Sequence, residues 1–201
     1  KKAAKNGDIG AMVKYGVCLL EGEGVDNHNR EEAEENYKKA AKYFEKAIER
    51  GQDENAMYYY SLQLLEGKGV EKDTEKAIYY LKNAADLHQA DAENKYGMML
   101  EFGSKEVKKN VKEAIKYYRK SSDHGNEVGM FNYADILEKG KHVEQNVKEA
   151  ARLFRLSYKR GYIPAICRYG EMLLEGRGVD ADPNEASRLF LLAIQNKYTS
   201  A

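Results

Sequence analysis

Leu65-Glu66-Gly67-Lys68-Gly69-Val70 is the phrase that decides the fold. It returns as Leu20-Glu21-Gly22-Glu23-Gly24-Val25 and as Leu174-Glu175-Gly176-Arg177-Gly178-Val179. Looser copies stand at Phe102-Gly103-Ser104-Lys105-Glu106-Val107 and Lys139-Gly140-Lys141-His142-Val143. A phrase recurring at a fixed period marks a repeat array before any single element is argued. Outward from it, a small residue opens each unit at Ala11, Ala56, Ala92, Gly129 and Ala165, in steps of 45, 36, 37 and 36 residues. A unit of about 36 residues holds two helices and two turns. The first step is longer by eight or nine, and the excess falls in Asp26 to Tyr37, read as an insertion between the helices of the first unit.

In the first helix of each unit, helix A, the position four after the opener is Tyr15, Tyr60, Tyr96, Tyr133 or Tyr169. Eight after it stands Leu19, Leu64, Leu100, Leu137 or Leu173, so one stripe lies on one helix face. Five after it the residue is always small: Gly16, Ser61, Gly97, Ala134 and Gly170. A glycine inside a helix costs roughly 1 kcal/mol against alanine, so a close helix approach is expected there. The Gly-x-Gly phrase then ends helix A, because glycine accepts the left-handed conformation of a helix C-cap. A phosphate loop is the poorer reading, since no strand precedes the phrase and no Lys-Ser or Lys-Thr pair follows it.

The second helix, helix B, opens with start signals. Asn110 to Glu113 and Asn146 to Glu149 read as capping boxes, and Asp182-Pro183-Asn184-Glu185 as a third with proline at the first helical position. Asp73-Thr74 is a less perfect start. Small residues recur along helix B at Ala40, Ala77, Ala114, Ala150 and Ala186, then at Ala47, Ala84, Ser121, Ser157 and Ala193, with bulky pairs such as Tyr43-Phe44 and Leu153-Phe154 between them. Small residues at crossings and aromatics in the gaps suit stacked helical hairpins. Gly51, Gly125 and Gly161 close three units, and Leu87-His88-Gln89 breaks that rule.

With these positions aligned, the chain resembles the Sel-1-like repeat family, a relative of the tetratricopeptide repeats. Ala56 to Ala85 and Ala165 to Ala193 carry the pattern best. The resemblance implies an all-α fold: a right-handed α-solenoid, or superhelix, of antiparallel helix pairs whose A helices line the concave face. The expected units are 8–51, 52–88, 89–125, 126–161 and 162–197, with 1–7 the end of a truncated repeat and 198–201 a tail. The chain opens on Lys1 inside that truncated repeat, so a longer native protein is expected.

Thirty-three basic residues balance thirty-three acidic ones, which argues against a surface dedicated to nucleic acid or to anionic membrane. No run reaches the length of a membrane span, and no secretory signal is visible. The two cysteines, Cys18 and Cys167, lie four units apart and read as reduced thiols, which fits a cytoplasmic setting. Among His28, His88, His124 and His142 no pair has zinc spacing, and there is no Cys-x-x-Cys, so no metal and no cofactor are expected. No nucleophile elbow is present, and Glu31-Glu32 and Glu34-Glu35 in the insertion read as solvated surface, so no catalytic residue is assigned.

Helix A positions off the packed stripe are the candidate site: Lys14, Tyr58, Tyr59, Lys95, Met98, Phe131, Asn132 and Arg168. Lysine, asparagine and arginine would hold carboxylates or carbonyls of a protein or peptide partner, and the aromatics and Met98 would anchor its apolar side chains. The family resemblance implies an interaction scaffold or adaptor in a signalling or assembly complex, not an enzyme. Two alternatives are a regulatory module of a larger enzyme, such as a protein kinase, and a β-lactam hydrolase. Relatives linked to the latter carry paired cysteines in each repeat, which this chain lacks. Nothing in the sequence sets an oligomeric state.

Overall fold

A computed structural model describes residues 2–22 and 30–199, without the side chains of 197–199. The described residues are helical throughout, without strands: α1 (Lys2–Lys5), α2 (Ile9–Glu21), α3 (Arg30–Gly51), α4 (Glu54–Glu66), α5 (Thr74–Asp86), α6 (Ala90–Phe102), α7 (Val111–Asp123), α8 (Glu127–Lys139), α9 (Val147–Lys159), α10 (Ile163–Glu175) and α11 (Pro183–Thr199). The even-numbered helices are the A helices and the odd-numbered ones from α3 are the B helices. The fold is the expected all-α array of helix pairs. It divides into two compact units, one of Lys1–Tyr96 with Ser104–Val107 and one of Gly97–Gly103 with Lys108–Ala201.

In the first unit α2 packs on α3, α3 on α4 and α4 on α5, around fully buried Leu19, Phe44, Tyr60 and Leu81. In the second the chain of contacts runs from α7 to α11, around Tyr118, Phe154 and Met172. The small position of helix A has the reason expected of it. A Cβ on Gly16 would lie 2.5 Å from the Phe44 ring, and one on Gly170 would lie 2.8 Å from the Phe190 ring. Each B-helix aromatic therefore beds on bare A-helix backbone.

The inserted residues are mostly helix. Residues 30–37 form the first turns of α3, which has 22 residues where α5 has 13. Glu35 and Lys39 make an i,i+4 pair there at 3.0 Å. Residues 26–29, and the Gly24-Val25 end of the first turn phrase, lie outside the described residues.

The turns explain the repeated phrase. The first glycine takes a left-handed conformation in every copy, at Gly22, Gly67, Gly103, Gly140 and Gly176. The second position repeats this at Gly69 (φ 69°) and Gly178 (φ 70°), and His142 does the same at φ 70° without being glycine. At 103–107 the turn is built differently. Ser104 Oγ accepts from the Glu106 and Val107 amides, and the Ser104 amide donates to the Val107 carbonyl.

The capping boxes form only in half. Asn110, Asn146 and Asp182 accept from the amides of Glu113, Glu149 and Glu185, and Asp73 caps α5 equally well through the Lys76 amide at 2.9 Å. The returning bond goes elsewhere. The amides of Asp73, Asn110, Asn146 and Asp182 donate to the carbonyls of Leu64, Leu100, Leu137 and Leu173. The B-helix start is thus tied to the A-helix leucine, which leaves the capping glutamate carboxylates for other partners.

The junctions after helix B also correct one expectation. Gly125 and Gly161 are left-handed, but in the first junction the left-handed residue is Gln52, not Gly51. His88 takes that role at φ 70°, so the irregular Leu87-His88-Gln89 junction keeps the common geometry with a non-glycine residue.

Candidate partner-binding face

The caps set the phase of the A helices. Asp8, Asp53 and Asn126 accept from the amides of Ala11, Ala56 and Gly129, so the same helical position falls on the same face in each pair. In the first unit, Lys14 on α2 is exposed. Tyr58 and Tyr59 on α4 are half-buried and meet edge to face, with ring centres 5.3 Å apart. Tyr59 also stacks on Phe44, with centres 5.7 Å apart and planes 15° from parallel. The tyrosine pair therefore rests on the core rather than on a mobile side chain. Lys95 on α6 is half-buried and makes no ion pair among the described residues.

The charge around the tyrosines is acidic. Burial, then the Asp91 carboxylate, pushes the Tyr58 phenol up to about 12. Burial, then Glu21 and Asp91, raises Tyr59 as well. Burial also raises Tyr60, whose hydroxyl donates to Glu45, and Tyr118, whose hydroxyl donates to Glu101 at 2.6 Å. A raised phenol favours the folded state while it stays neutral. The stability it lends is complete below its unfolded value near pH 10. It falls as pH rises and is lost by the folded value, about 12 for Tyr58. Ultraviolet absorbance titration of the folded chain should leave several phenolates unformed at pH 11, and the urea midpoint should drop between pH 10 and 12. A midpoint flat across that window would contradict it.

In the second unit, Met98 on α6 is 40% exposed and Asn132 on α8 is half-buried. Phe131 meets Phe154 and Tyr162 edge to face, at 5.3 and 5.2 Å. The Arg168 guanidinium lies 5.6 Å from the centre of the same Phe154 ring. Phe131 and Arg168 therefore converge on one buried aromatic, while in the first unit Tyr59 stacks on Phe44 and Tyr58 packs on Tyr59.

Arg168 is already engaged. It bonds Glu138 at 2.5 Å and Glu171 at 3.1 Å, and stands 3.6 Å from Asp135. Arg177, from the last Gly-x-Gly turn, joins the other oxygen of Glu138 and also pairs with Glu175. Glu138 is only 7% exposed and is the hub of this network. The sequence reading did not single it out. The signal was available nine residues after the opener, where the chain reads Leu20, Leu65, Glu101, Glu138 and Leu174. An acid at a site that is otherwise leucine announces a specific partner, which is Tyr118 for Glu101 and the two arginines for Glu138.

Each unit thus carries half-buried aromatics bedded on its core, on A helices that alternate with B helices. That arrangement defines a hairpin-repeat protein. Five copies of the Sel1 repeat match residues 9–52, 54–88, 90–126, 128–162 and 163–198, and the chain belongs to that family. A putative sel1-like repeat-containing protein of Acanthamoeba polyphaga mimivirus is 31% identical over 102 residues, 49% of this chain and 17% of that protein. The chain therefore spans about a sixth of that relative's length.

A solved Sel1 repeat protein from Oxalobacter formigenes superposes with a TM-score of 0.74 at 23% identity, over 94% of this chain and 72% of that one. A protective antigen of uropathogenic Escherichia coli strains with the same fold gives 0.76 at 22% identity, over 97% and 40%. Sel1-repeat proteins are generally protein-interaction scaffolds and typically non-catalytic. Among the described residues no helix is long and apolar enough to cross a membrane.

Proposed function

We propose that this chain is a non-catalytic scaffold that holds a protein or peptide partner on the A-helix face, the surface expected to be concave. The observation that carries the reading is the half-buried Tyr58–Tyr59 pair, its Tyr59 stacked on Phe44, with Lys95 unpaired on the next A helix. A rigid aromatic platform loses little side-chain entropy when it is covered, and such residues dominate interface energies. Lys14 and Lys95 supply charge for partner carboxylates or carbonyls. Arg168, held by Glu138 and Glu171, presents its edge as a fixed rather than a searching cation.

Affinity capture from the source lysate should return a partner with the intact chain. The Tyr58→Ala, Lys95→Glu double variant should lose that partner at least tenfold while keeping its helicity. An exposed control, Lys82→Glu, should leave it unchanged. Equal capture by the double variant and the control would remove the A-helix face as the binding surface.

A further inference from the structure

The turn at 140–143 differs from its counterparts at Gly69 and Gly178, and it borders a cleft. At Gly69 and Gly178 the turn closes onto the backbone of the preceding B helix. A Cβ on Gly69 would lie 2.3 Å from the Tyr37 carbonyl carbon, and one on Gly178 would lie 2.3 Å from the Val147 carbonyl oxygen. His142 holds the same left-handed conformation with a side chain attached. A Cβ cannot occupy a 2.3 Å contact, so the turn at His142 is not seated as it is at Gly69 and Gly178.

Val111 and His142 both line a cleft of about 540 Å³ between the start of α7 and the end of α8. The cleft has an apolar wall and a basic rim. Phe102, 71% exposed, lines it together with Ile115 and Ile136. Lys109, Lys141 and His142 surround them, and none of the three pairs with a carboxylate among the described residues. The acids that line it are engaged: Asp135 holds Lys139 at 2.5 Å, and Glu101 accepts from Tyr118 at 2.6 Å.

We propose that this cleft binds an acidic peptide segment that inserts one bulky apolar side chain against Phe102 and Ile136, with flanking carboxylates on Lys109, Lys141 and His142. None of the A-helix candidates named above lines it, so it is a second interaction site within the second compact unit. Lys109 and Lys141, without carboxylate partners beside an apolar wall, favour carboxylates at the rim and disfavour basic segments.

The test is a random dodecapeptide display library panned against the whole chain and counter-selected on a Lys109→Glu, Lys141→Glu variant. Enriched peptides should carry one Phe, Trp, Leu or Met flanked by at least two Asp or Glu. A fluorescent copy of the enriched peptide should bind at least tenfold more weakly to the double variant, and equally to a Lys159→Glu control. It should also weaken as salt rises, since rim charges are screened. His142→Gly, which removes the imidazole from the rim, should weaken binding while the fold is kept.

Enrichment of basic or uncharged peptides would overturn the proposal. So would undiminished binding to the His142→Gly variant. Self-association abolished by the charge reversals would place a second copy of the chain in the cleft instead. The charge-reversal variant keeps Tyr58 and Lys95, so failure here and failure of the A-helix face are read separately.

Discussion

Gly178→Ala should destabilise the chain by about 3 kcal/mol, and Gly176→Ala, two residues earlier in the same turn, by only about 1–2 kcal/mol. The two glycines share a backbone conformation, with φ 70° and 68°. Alanine at either position therefore incurs the same left-handed penalty of roughly 1–2 kcal/mol. They differ in what a Cβ would meet. At Gly176 it would touch the Ala181 Cβ at 3.4 Å, an ordinary contact. At Gly178 it would lie 2.3 Å from the Val147 oxygen, 2.6 Å from the Val147 carbonyl carbon and 2.9 Å from the Lys148 nitrogen. Those atoms are the first turn of α9, held by the Asn146 cap and by the Asn146 amide on the Leu137 carbonyl. They cannot recede without breaking the cap, so overpacking adds roughly 1–3 kcal/mol. Urea denaturation of the two single variants measures the difference. Equal losses would mean that the second glycine serves only its own φ, and that close seating on the preceding helix contributes nothing.

That contrast also indicates how far the sequence could be read. The repeat period, the helix pairs and the caps were legible because they rest on local rules: spacing, glycine at left-handed positions, Asn and Asp before a helix. The A-helix tyrosines and leucines were legible for the same reason, since a stripe at offsets of four and eight faces the core whatever its partner. The length of α3 was not. Arg30 to Tyr37 is rich in charge and carries no apolar stripe, so it read as insertion, although its i,i+4 pair and good helix formers extend the helix. The returning halves of the capping boxes were missed because a sequence motif names the expected acceptor, while the fold supplies a nearer one in the leucine carbonyl. Within the candidate site, the residues were nameable but their commitments were not. Lys95 and Arg168 occupy equivalent positions, yet one is unpaired and the other is gripped by acids on α8 and α10, a difference decided by tertiary neighbours.

Glu138→Ala tests the largest of those commitments and should cost about 2–3 kcal/mol. The carboxylate is 7% exposed, and each oxygen bonds a different arginine, one from α10 and one from the last turn. A hydrogen bond to a charged group is worth roughly 1.5–3 kcal/mol when the acceptor is removed. The arginine side chains are 31% and 38% exposed, so water takes back part of what each loses, which keeps the sum below the roughly 3–5 kcal/mol of a fully buried pair. The arginines also retain partners, Glu171 for Arg168 and Glu175 for Arg177. Glu138→Leu should cost less than alanine, because the equivalent residue is leucine at 20, 65 and 174 and fills the same space. The loss in Glu138→Ala should persist at about 1 M salt, where pairs between exposed charges are largely screened. If the alanine variant lay within about 0.5 kcal/mol of the parent, the Glu138 hub would be a surface ornament. If instead it destabilised the fold at low salt only, the network would be a rim of exposed pairs, and Arg168 would be a searching rather than a fixed cation.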